Sequence, residues 1–274
     1  MFELVQWGIF GLILGSFTNV LILREGTAAL SGRSFCPHCK RTLEWFELIP
    51  VVSWLFVRGK CRTCQARISL QYPLVEILVA LGVVATGLSS APFVVRIVYA
   101  CIIVLLVAIL VYDLRYTIIP DAWSYSTAGL ALLSGTLMFS QGSLLLFLLS
   151  GPLVAFPLAA LWFVSKGKWM GLGDPKLALS FGWLLGIFGG YVALCIAFVT
   201  GALVSVFVLI PLQRLIRVLP ISMRVGVDSK HARFTMTSEV PFGPFLIFGL
   251  ILVWFSALYQ LPLVPVLLDF LSLS

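Results

Sequence analysis

Three aspartates lie where long apolar stretches end, and their type and position could support chemistry. Asp113 closes one apolar stretch, Asp121 precedes the next, and Asp174 follows two glycines in "GLGDPKLA". Acids near lipid are costly unless they face a partner or a cavity, which makes them functional candidates by default. Burial arguments alone leave open the plainer interpretation, in which all three are interfacial carboxylates without a role.

Two carboxyl groups held within a few ångströms of each other can hydrolyse a peptide bond. Both cannot ionise cheaply at that separation, so one keeps a proton. The ionised group takes a proton from water, while the protonated group polarises the carbonyl and helps the amine leave. Gly171 and Gly173 allow close approach of another segment, and Pro175 favours an extended conformation at Asp174. An aspartate pair is therefore one hypothesis, and an ion or proton site of a transporter or channel is another.

Four cysteines form a second pattern, two Cys-x-x-Cys pairs separated by 21 residues. Each pair lets two thiolates reach one ion, so together they offer the closed coordination of a structural zinc site. A redox pair and disulfides are alternatives, but the surrounding basic residues indicate a reducing cytosolic location. With four sulfurs committed, the metal has no open position for water. The predicted zinc ligands are Cys36, Cys39, Cys61 and Cys64.

The elements that position these residues must be membrane helices, because the chain has too few polar residues to cover a soluble globule. Of 274 residues, 61% are hydrophobic and 11% charged, and the mean hydropathy is +1.10. The net charge of +7 fits basic loops facing anionic lipid better than a nucleic-acid partner. We expect an all-α polytopic bundle. Its candidate spans are 4–23, 71–88, 93–112, 122–139, 143–165, 176–188, 191–212 and 241–260.

The number of crossings depends on residues 177–210, an apolar run too long for one span. If it forms two helices hinged at Gly189 and Gly190, every lysine and arginine except Arg96 lies on one side. The positive-inside rule makes that side cytosolic. We therefore predict about eight transmembrane helices. The predicted domains are the first transmembrane helix (1–23), a cytosolic four-cysteine zinc-binding domain (24–70) and a membrane-embedded helical bundle (71–274).

Several motifs, in order along nearly the whole chain, resemble the bacterial type IV prepilin peptidases, which are bifunctional leader peptidases and N-methyltransferases. The cysteine pairs lie between the first two of these motifs, and Pro175 departs from the family pattern. The motifs are "GSFTNVLILR" from Gly15, "ISLQYPLVE" from Ile68, "DLRYTIIPD" from Asp113, "GLGDPKLA" from Gly171 and "EVPFGPF" from Glu239.

The resemblance implies an intramembrane aspartic protease with a Gly-x-Gly-Asp motif, whose catalytic pair is Asp113 and Asp174. Its substrates would be prepilins and pseudopilins of type IV pilus and type II secretion systems. Cleavage would occur at the cytosolic face of the bacterial inner membrane, and the enzyme would contact membrane lipid there. The implied supporting residues are Asp121, Gly171, Gly173, Lys176 and Glu239. Lys176 could equally be an interfacial snorkelling lysine, and Glu239 an acidic helix start.

The resemblance also implies a second activity, N-methylation of the new N-terminus with S-adenosylmethionine. The sequence has no glycine fingerprint of a nucleotide site after a strand, so its residues do not locate the methyl donor. Two alternatives to this enzyme remain at the level of sequence. One is a polytopic transporter or channel that uses the aspartates as ion or proton sites, and the other is a zinc-stabilised scaffold without catalysis.

Overall fold

The computed structural model describes residues 1–25, 32–139, 143–209 and 241–261. Its regular structure is helical, which confirms the predicted all-α fold. A 3-10 helix, Trp45–Leu48, precedes α2, and a short π-helix, Ser205–Leu209, follows α7. The α-helices are α1 (Phe2–Arg24), α2 (Val52–Phe56), α3 (Gln71–Gly87), α4 (Phe93–Tyr116), α5 (Asp121–Met138), α6 (Leu144–Ser165), α7 (Gly173–Val204) and α8 (Gly243–Leu258).

Four described helices, α1, α4, α6 and α7 continued to Phe207, are long and apolar enough to cross a membrane by themselves. Helices α3 and α8 are apolar but shorter. On α1, the side chains of Ile9, Ile13 and Phe17 follow one face and are about half exposed, as lipid-facing side chains are. Each predicted span overlaps a described helix or part of α7. The count of eight crossings stays a prediction.

Helix α4 lies at the centre of the bundle. Two thirds of its most apolar stretch is buried, against about one third in the other three long helices. Helices α1, α3, α5 and α8 pack against it. Because α4 is enclosed on several sides, the residue at its C-terminal end, Asp113, lies against neighbouring helices and not in lipid.

Helix α7 reverses direction at Gly186, whose backbone is non-helical (φ 74°, ψ 176°). Ser150 Oγ donates a hydrogen bond to the carbonyl of Gly182 before the break, at 2.8 Å. After the break, the Tyr191 hydroxyl donates to the carbonyl of Leu153, also at 2.8 Å. The chain thus returns along the same part of α6, and both ends of α7 lie at the same end of the bundle.

The reversal corrects the predicted hinge at Gly189 and Gly190. A positive φ is accessible to glycine at little cost, and among the residues of α7 it occurs at Gly186. Composition placed a glycine-rich hinge in the right region. Gly186, Gly189 and Gly190 can all adopt a positive φ, so the sequence does not show which of them forms the break.

Arg96, the basic residue predicted to lie on the opposite side from the others, has a local role. Its Nε donates to the carbonyl of Ala91 at 2.6 Å, and its Nη1 donates to the carbonyl of Gly87 at 3.1 Å. Gly87 is the last residue of α3, where carbonyls lack intrahelical partners and a positive charge is favourable. Arg96 therefore satisfies a helix end away from the other cations.

Candidate active site and metal centre

Asp113 lies in the last turn of α4 with its side chain directed into the bundle, where the residue is 4% exposed. The helix ends at Tyr116, and the next residue, Thr117, adopts a left-handed conformation (φ 54°) and donates its N–H to the carbonyl of Asp113 at 2.8 Å. The carboxylate Oδ2 accepts the backbone N–H of Gly243, 130 residues away, at 3.0 Å. The first residue of α8 thereby holds the carboxyl group in place.

Asp174 lies in the first turn of α7 and is 6% exposed. The helix begins at Gly173, so the predicted extended conformation of Asp174 before Pro175 is wrong. Proline is tolerated in the first turn because backbone N–H groups there have no intrahelical acceptor. The helical turn, and not an extended segment, directs this carboxyl group.

The structure brings the two acids to one site through Ile119, in the connection between α4 and α5. A Cβ added at Gly173 would lie 2.7 Å from Ile119 Cβ, and one added at Gly243 would lie 3.3 Å from Ile119 Cδ1. Gly243 binds Asp113 and Gly173 precedes Asp174. Two buried acids at one site can act as the general base and acid of a hydrolysis.

Asp121 and Lys176 pair with each other beside this site. Lys176 Nζ lies 2.6 Å from Asp121 Oδ1 and 5.4 Å from the ring centroid of Tyr125. The lysine side chain is 14% exposed and the aspartate side chain 65% exposed, so solvent screens the pair and its stabilisation is modest. The contact joins the start of α5 to the start of α7. Glu239, the remaining predicted supporting residue, lies outside the described residues.

The two predicted glycines of the Gly-x-Gly-Asp motif differ in their surroundings. A Cβ at Gly173 would meet both Ile119 Cβ at 2.7 Å and Ile119 O at 3.4 Å, whereas a Cβ at Gly171 would meet only atoms at 3.9 Å. Those include Asp174 Oδ2, so the Gly171 backbone lies beside the carboxyl group. Close approach is therefore required at Gly173, and Gly171 has room for a methyl group.

We expect Gly173→Ala to lower the rate of substrate cleavage about tenfold to a hundredfold, because the methyl group must displace Ile119 and shift Asp174. Gly171→Ala is the matched control and should keep the rate within about threefold, since ordinary contacts surround its Cβ. Steady-state cleavage of a peptide substrate measures both variants. Equal losses in the two variants would contradict the packing described here.

The four predicted metal ligands come together in the insertion between α1 and α3. Their sulfur atoms all lie within 4.8 Å of one another, and Cys36 Sγ and Cys64 Sγ are 3.9 Å apart. Tetrahedral zinc with Zn–S bonds of about 2.3 Å requires sulfurs about 3.8 Å apart. The donor set and its spacing fit one zinc ion.

The two cysteine pairs lie in turns that repeat the same hydrogen bonds. Cys36 donates its N–H to the carbonyl of Arg41 at 2.9 Å, and Cys61 donates its N–H to that of Ala66 at 2.8 Å. Backbone N–H groups of Cys64 and Thr63 lower the pKa of the Cys61 thiol to about 6. The backbone N–H of Cys39 likewise lowers the pKa of Cys36. The first cysteine of each turn thus favours the thiolate, the form that binds metal. Burial and the neighbouring cysteine side chains instead raise the pKa of the Cys64 thiol to about 11.

Two contributors to the acid site were recognised at the level of sequence only as members of family motifs. Gly243, in "EVPFGPF", binds Asp113, and Ile119, in "DLRYTIIPD", lies against Gly173 and Gly243. Glu76, away from the acids, was likewise recognised only as part of "ISLQYPLVE", although an acid inside an apolar stretch is itself a functional signal. Glu76 is 7% exposed, and its Oε2 accepts the N–H of Val51 at 2.7 Å.

Comparison with known proteins agrees with this geometry. The family model described as the bacterial peptidase A24 N-terminal domain matches residues 9–89, and that of the type IV leader peptidase family matches residues 100–206. A prepilin leader peptidase/N-methyltransferase of Aeromonas hydrophila is 34% identical over 273 residues, which cover 87% of this chain and 85% of that protein. The chain belongs to the type IV leader peptidase family.

Two further members of the leader peptidase family have similar sequence identity to this chain. A prepilin leader peptidase/N-methyltransferase of Aeromonas salmonicida is 31% identical, with 87% of this chain and 85% of that protein covered. The protein of the same name from Pectobacterium carotovorum subsp. carotovorum is 32% identical over 65% of this chain and 74% of its own length. No solved structure matches the chain.

Proposed function

We propose that this chain cleaves the leader peptide of type IV prepilins and related pseudopilins, and then N-methylates the new N-terminal residue. The observation that supports cleavage is the pair Asp113 and Asp174, buried at one site by α4 and α7 in a member of the leader peptidase family. The methylation follows the N-methyltransferase activity named in its relatives.

In the proposed hydrolysis, Asp113 and Asp174 share one proton. The ionised carboxylate takes a proton from water, and the water oxygen forms a bond to the scissile carbonyl carbon as the other carboxyl group protonates the carbonyl oxygen. The C–N bond then breaks, and the leaving amine takes a proton from the first carboxyl group. As the C=O bond re-forms, one hydroxyl of the tetrahedral intermediate returns its proton to the second carboxylate, so the pair again shares one proton. The Gly243 N–H orients Asp113, and the helical turn at Gly173 orients Asp174.

We further propose that Asp121, Lys176, Gly171, Gly173 and Glu239 support this pair. For Asp121 and Lys176, the support is their ion pair between α5 and α7, which fixes the start of the helix carrying Asp174. For Gly173, it is the close contact with Ile119.

The proposed orientation puts the acids and the four-cysteine domain on the cytosolic side of a bacterial inner membrane. The basic residues support it: eight lie in the predicted domain 24–70, and Arg115 lies two residues after Asp113. We retain the division into a first helix over 1–23, this domain, and a helical bundle over 71–274. A prepilin helix in the bilayer would then present its leader junction at the depth of the acids.

Two groups are implied by this function. Cys36, Cys39, Cys61 and Cys64 would hold zinc, which with four sulfur ligands stabilises the domain and has no position for a reacting water. S-adenosylmethionine supplies an electrophilic methyl group when bound. For its transfer, the chain must hold the new N-terminal amine unprotonated, with its lone pair directed at that methyl group.

Incubating the purified full chain with a prepilin-like peptide, in detergent and without an ion gradient, tests the proposal. We expect a single cut at the leader junction, detected by mass spectrometry, and a methylated N-terminus when S-adenosylmethionine is added. A scaffold would leave the peptide intact. A transporter that uses the aspartates as ion sites would likewise give no product without a gradient.

A further inference from the structure

A cavity of about 530 Å³ lies between the four-cysteine insertion and the adjoining ends of α1, α3 and α4. Its wall includes Asn19 of α1, Tyr72 and Glu76 of α3, Trp54 of the insertion and Arg115 of α4. The volume is in the range of pockets that enclose small molecules. Arg115 lies in the same last turn of α4 as Asp113, but residues two apart in a helix point to nearly opposite faces, so the cavity lies at the same helix end on a different side from the proposed catalytic acid.

Glu76 gives this cavity a buried acidic wall. The residue is 7% exposed, and its Oε2 accepts a hydrogen bond from the N–H of Val51 at 2.7 Å. Among the described parts of the chain, it has no ion-pair partner. A buried carboxylate without a counter-ion is costly, so such a group at a cavity wall favours a cationic ligand.

Asn19 adds an unused acceptor at the same wall. Its Nδ2 donates to the carbonyl of Tyr72 at 3.1 Å, while its buried Oδ1 has no hydrogen-bond partner within the described ranges. Buried polar atoms are rarely left unpaired, so a donor from a bound molecule would complete this contact. Tyr72 and Trp54 provide flat apolar surfaces in the cavity. Its positive charges come from five residues of the wall, Arg24, Lys60, Arg62, Arg67 and Arg115.

We propose that this cavity binds the methyl donor S-adenosylmethionine, with Glu76 facing its positively charged end. The proposal rests on the N-methyltransferase function proposed above. The donor carries a sulfonium and an ammonium that suit Glu76 and Asn19, a carboxylate that suits Arg115, and a base that stacks on aromatic rings such as Tyr72 or Trp54.

The location also fits the order of the two reactions. Cleavage at the acids produces an N-terminal amine at the C-terminal end of α4, and the cavity lies at that same end of the helix, beside Arg115. The amine first loses a proton to solvent, and its lone pair then forms the N–C bond to the methyl carbon. The C–S bond breaks, and its electron pair goes to sulfur. The methylated amine, which is now positively charged, then loses one proton to water.

The test measures equilibrium binding of radiolabelled S-adenosylmethionine to the purified, zinc-loaded full chain in detergent. Glu76→Gln keeps an oxygen for the Val51 N–H and removes the charge, and we expect it to weaken binding at least about tenfold. Ser53→Trp fills the cavity while leaving Glu76 in place, and should weaken binding similarly. Glu44→Gln, an exposed acid of the same insertion, is the matched control and should bind as the original chain does. Zinc content and peptide cleavage should stay within about twofold in all three variants.

The possible results distinguish a wrong assignment of the donor site from a failure of the proposed N-methyltransferase function. If the original chain binds and transfers the methyl group but both Glu76→Gln and Ser53→Trp bind the donor normally, the cavity assignment is wrong. If those variants instead raise the KM for peptide cleavage with unchanged donor binding, the cavity holds the prepilin leader, and the assignment is again wrong. If the original chain cleaves peptide but neither binds nor uses the donor, the proposed N-methyltransferase function itself fails, and this inference fails with it.

Discussion

Replacing Asp113 or Asp174 by asparagine is expected to lower the rate of prepilin cleavage at least about a thousandfold. Each substitution removes a group that must exchange a proton during hydrolysis, and general acid–base catalysis contributes about 10²- to 10⁴-fold per group. Asparagine preserves size, and at Asp113 it keeps an oxygen that can accept the Gly243 N–H. The bundle should therefore fold normally, as judged by detergent-solubilised yield and thermal unfolding.

Asp121→Asn is the matched control for these variants. Its side chain is 65% exposed and its pairing with Lys176 is screened by solvent, so the cleavage rate should stay within about fivefold of the original chain. The double variant of Asp113 and Asp174 should be no slower than the slower single variant, because groups that act as a unit lose their function together. A large loss in Asp121→Asn alone, with normal cleavage in the other two, would reject the assigned pair.

Substituting both Cys36 and Cys61 by serine is expected to reduce bound zinc from about one ion per chain to none. The two residues belong to different turns, so each turn keeps only one cysteine, Cys39 or Cys64, and two sulfurs cannot complete the tetrahedral site. Structural zinc sites contribute about 10–16 kcal/mol of apparent folding free energy. Residues 32–70 should therefore become sensitive to limited proteolysis, while the helical bundle remains resistant. Elemental analysis and peptide mapping measure the two effects.

Cys101→Ser controls for the loss of thiols as such, because Cys101 lies in α4 away from the cluster and is exposed. It should retain zinc and the original proteolysis pattern. Full zinc content in the double serine variant, or an empty site in the original chain after preparation without chelators, would contradict the four-cysteine centre.

Features that depend on local sequence were predictable. Long apolar stretches defined the helices, and the repeated Cys-x-x-Cys spacing identified sulfurs that the fold brings within 4.8 Å. The ends of apolar stretches drew attention to Asp113 and Asp174, which the fold buries, while their catalytic role stays a prediction. The helices were predictable because a membrane helix satisfies its own backbone hydrogen bonds, so composition determines where it runs.

Features that depend on packing were not predictable. The break in α7 occurs at Gly186 and not at Gly189 or Gly190, because contacts with α6 decide which glycine adopts positive φ. Asp174, expected to be extended because it precedes Pro175, is instead helical, because the helix begins at Gly173. The hydrogen bond from Gly243 to Asp113 joins residues 130 positions apart, and nothing in either neighbourhood indicates it.

The central claim, that Asp113 and Asp174 act on one peptide bond, is tested most directly by an experimental structure with a bound peptide inhibitor. The inhibitor would carry a prepilin leader sequence with a secondary alcohol in place of the scissile amide. We predict that both carboxyl groups lie within hydrogen-bond distance of the hydroxyl oxygen, about 2.6–3.2 Å. A hydroxyl group bound by one carboxyl group alone, with the other carboxyl group separated from it by a helix, would contradict the account.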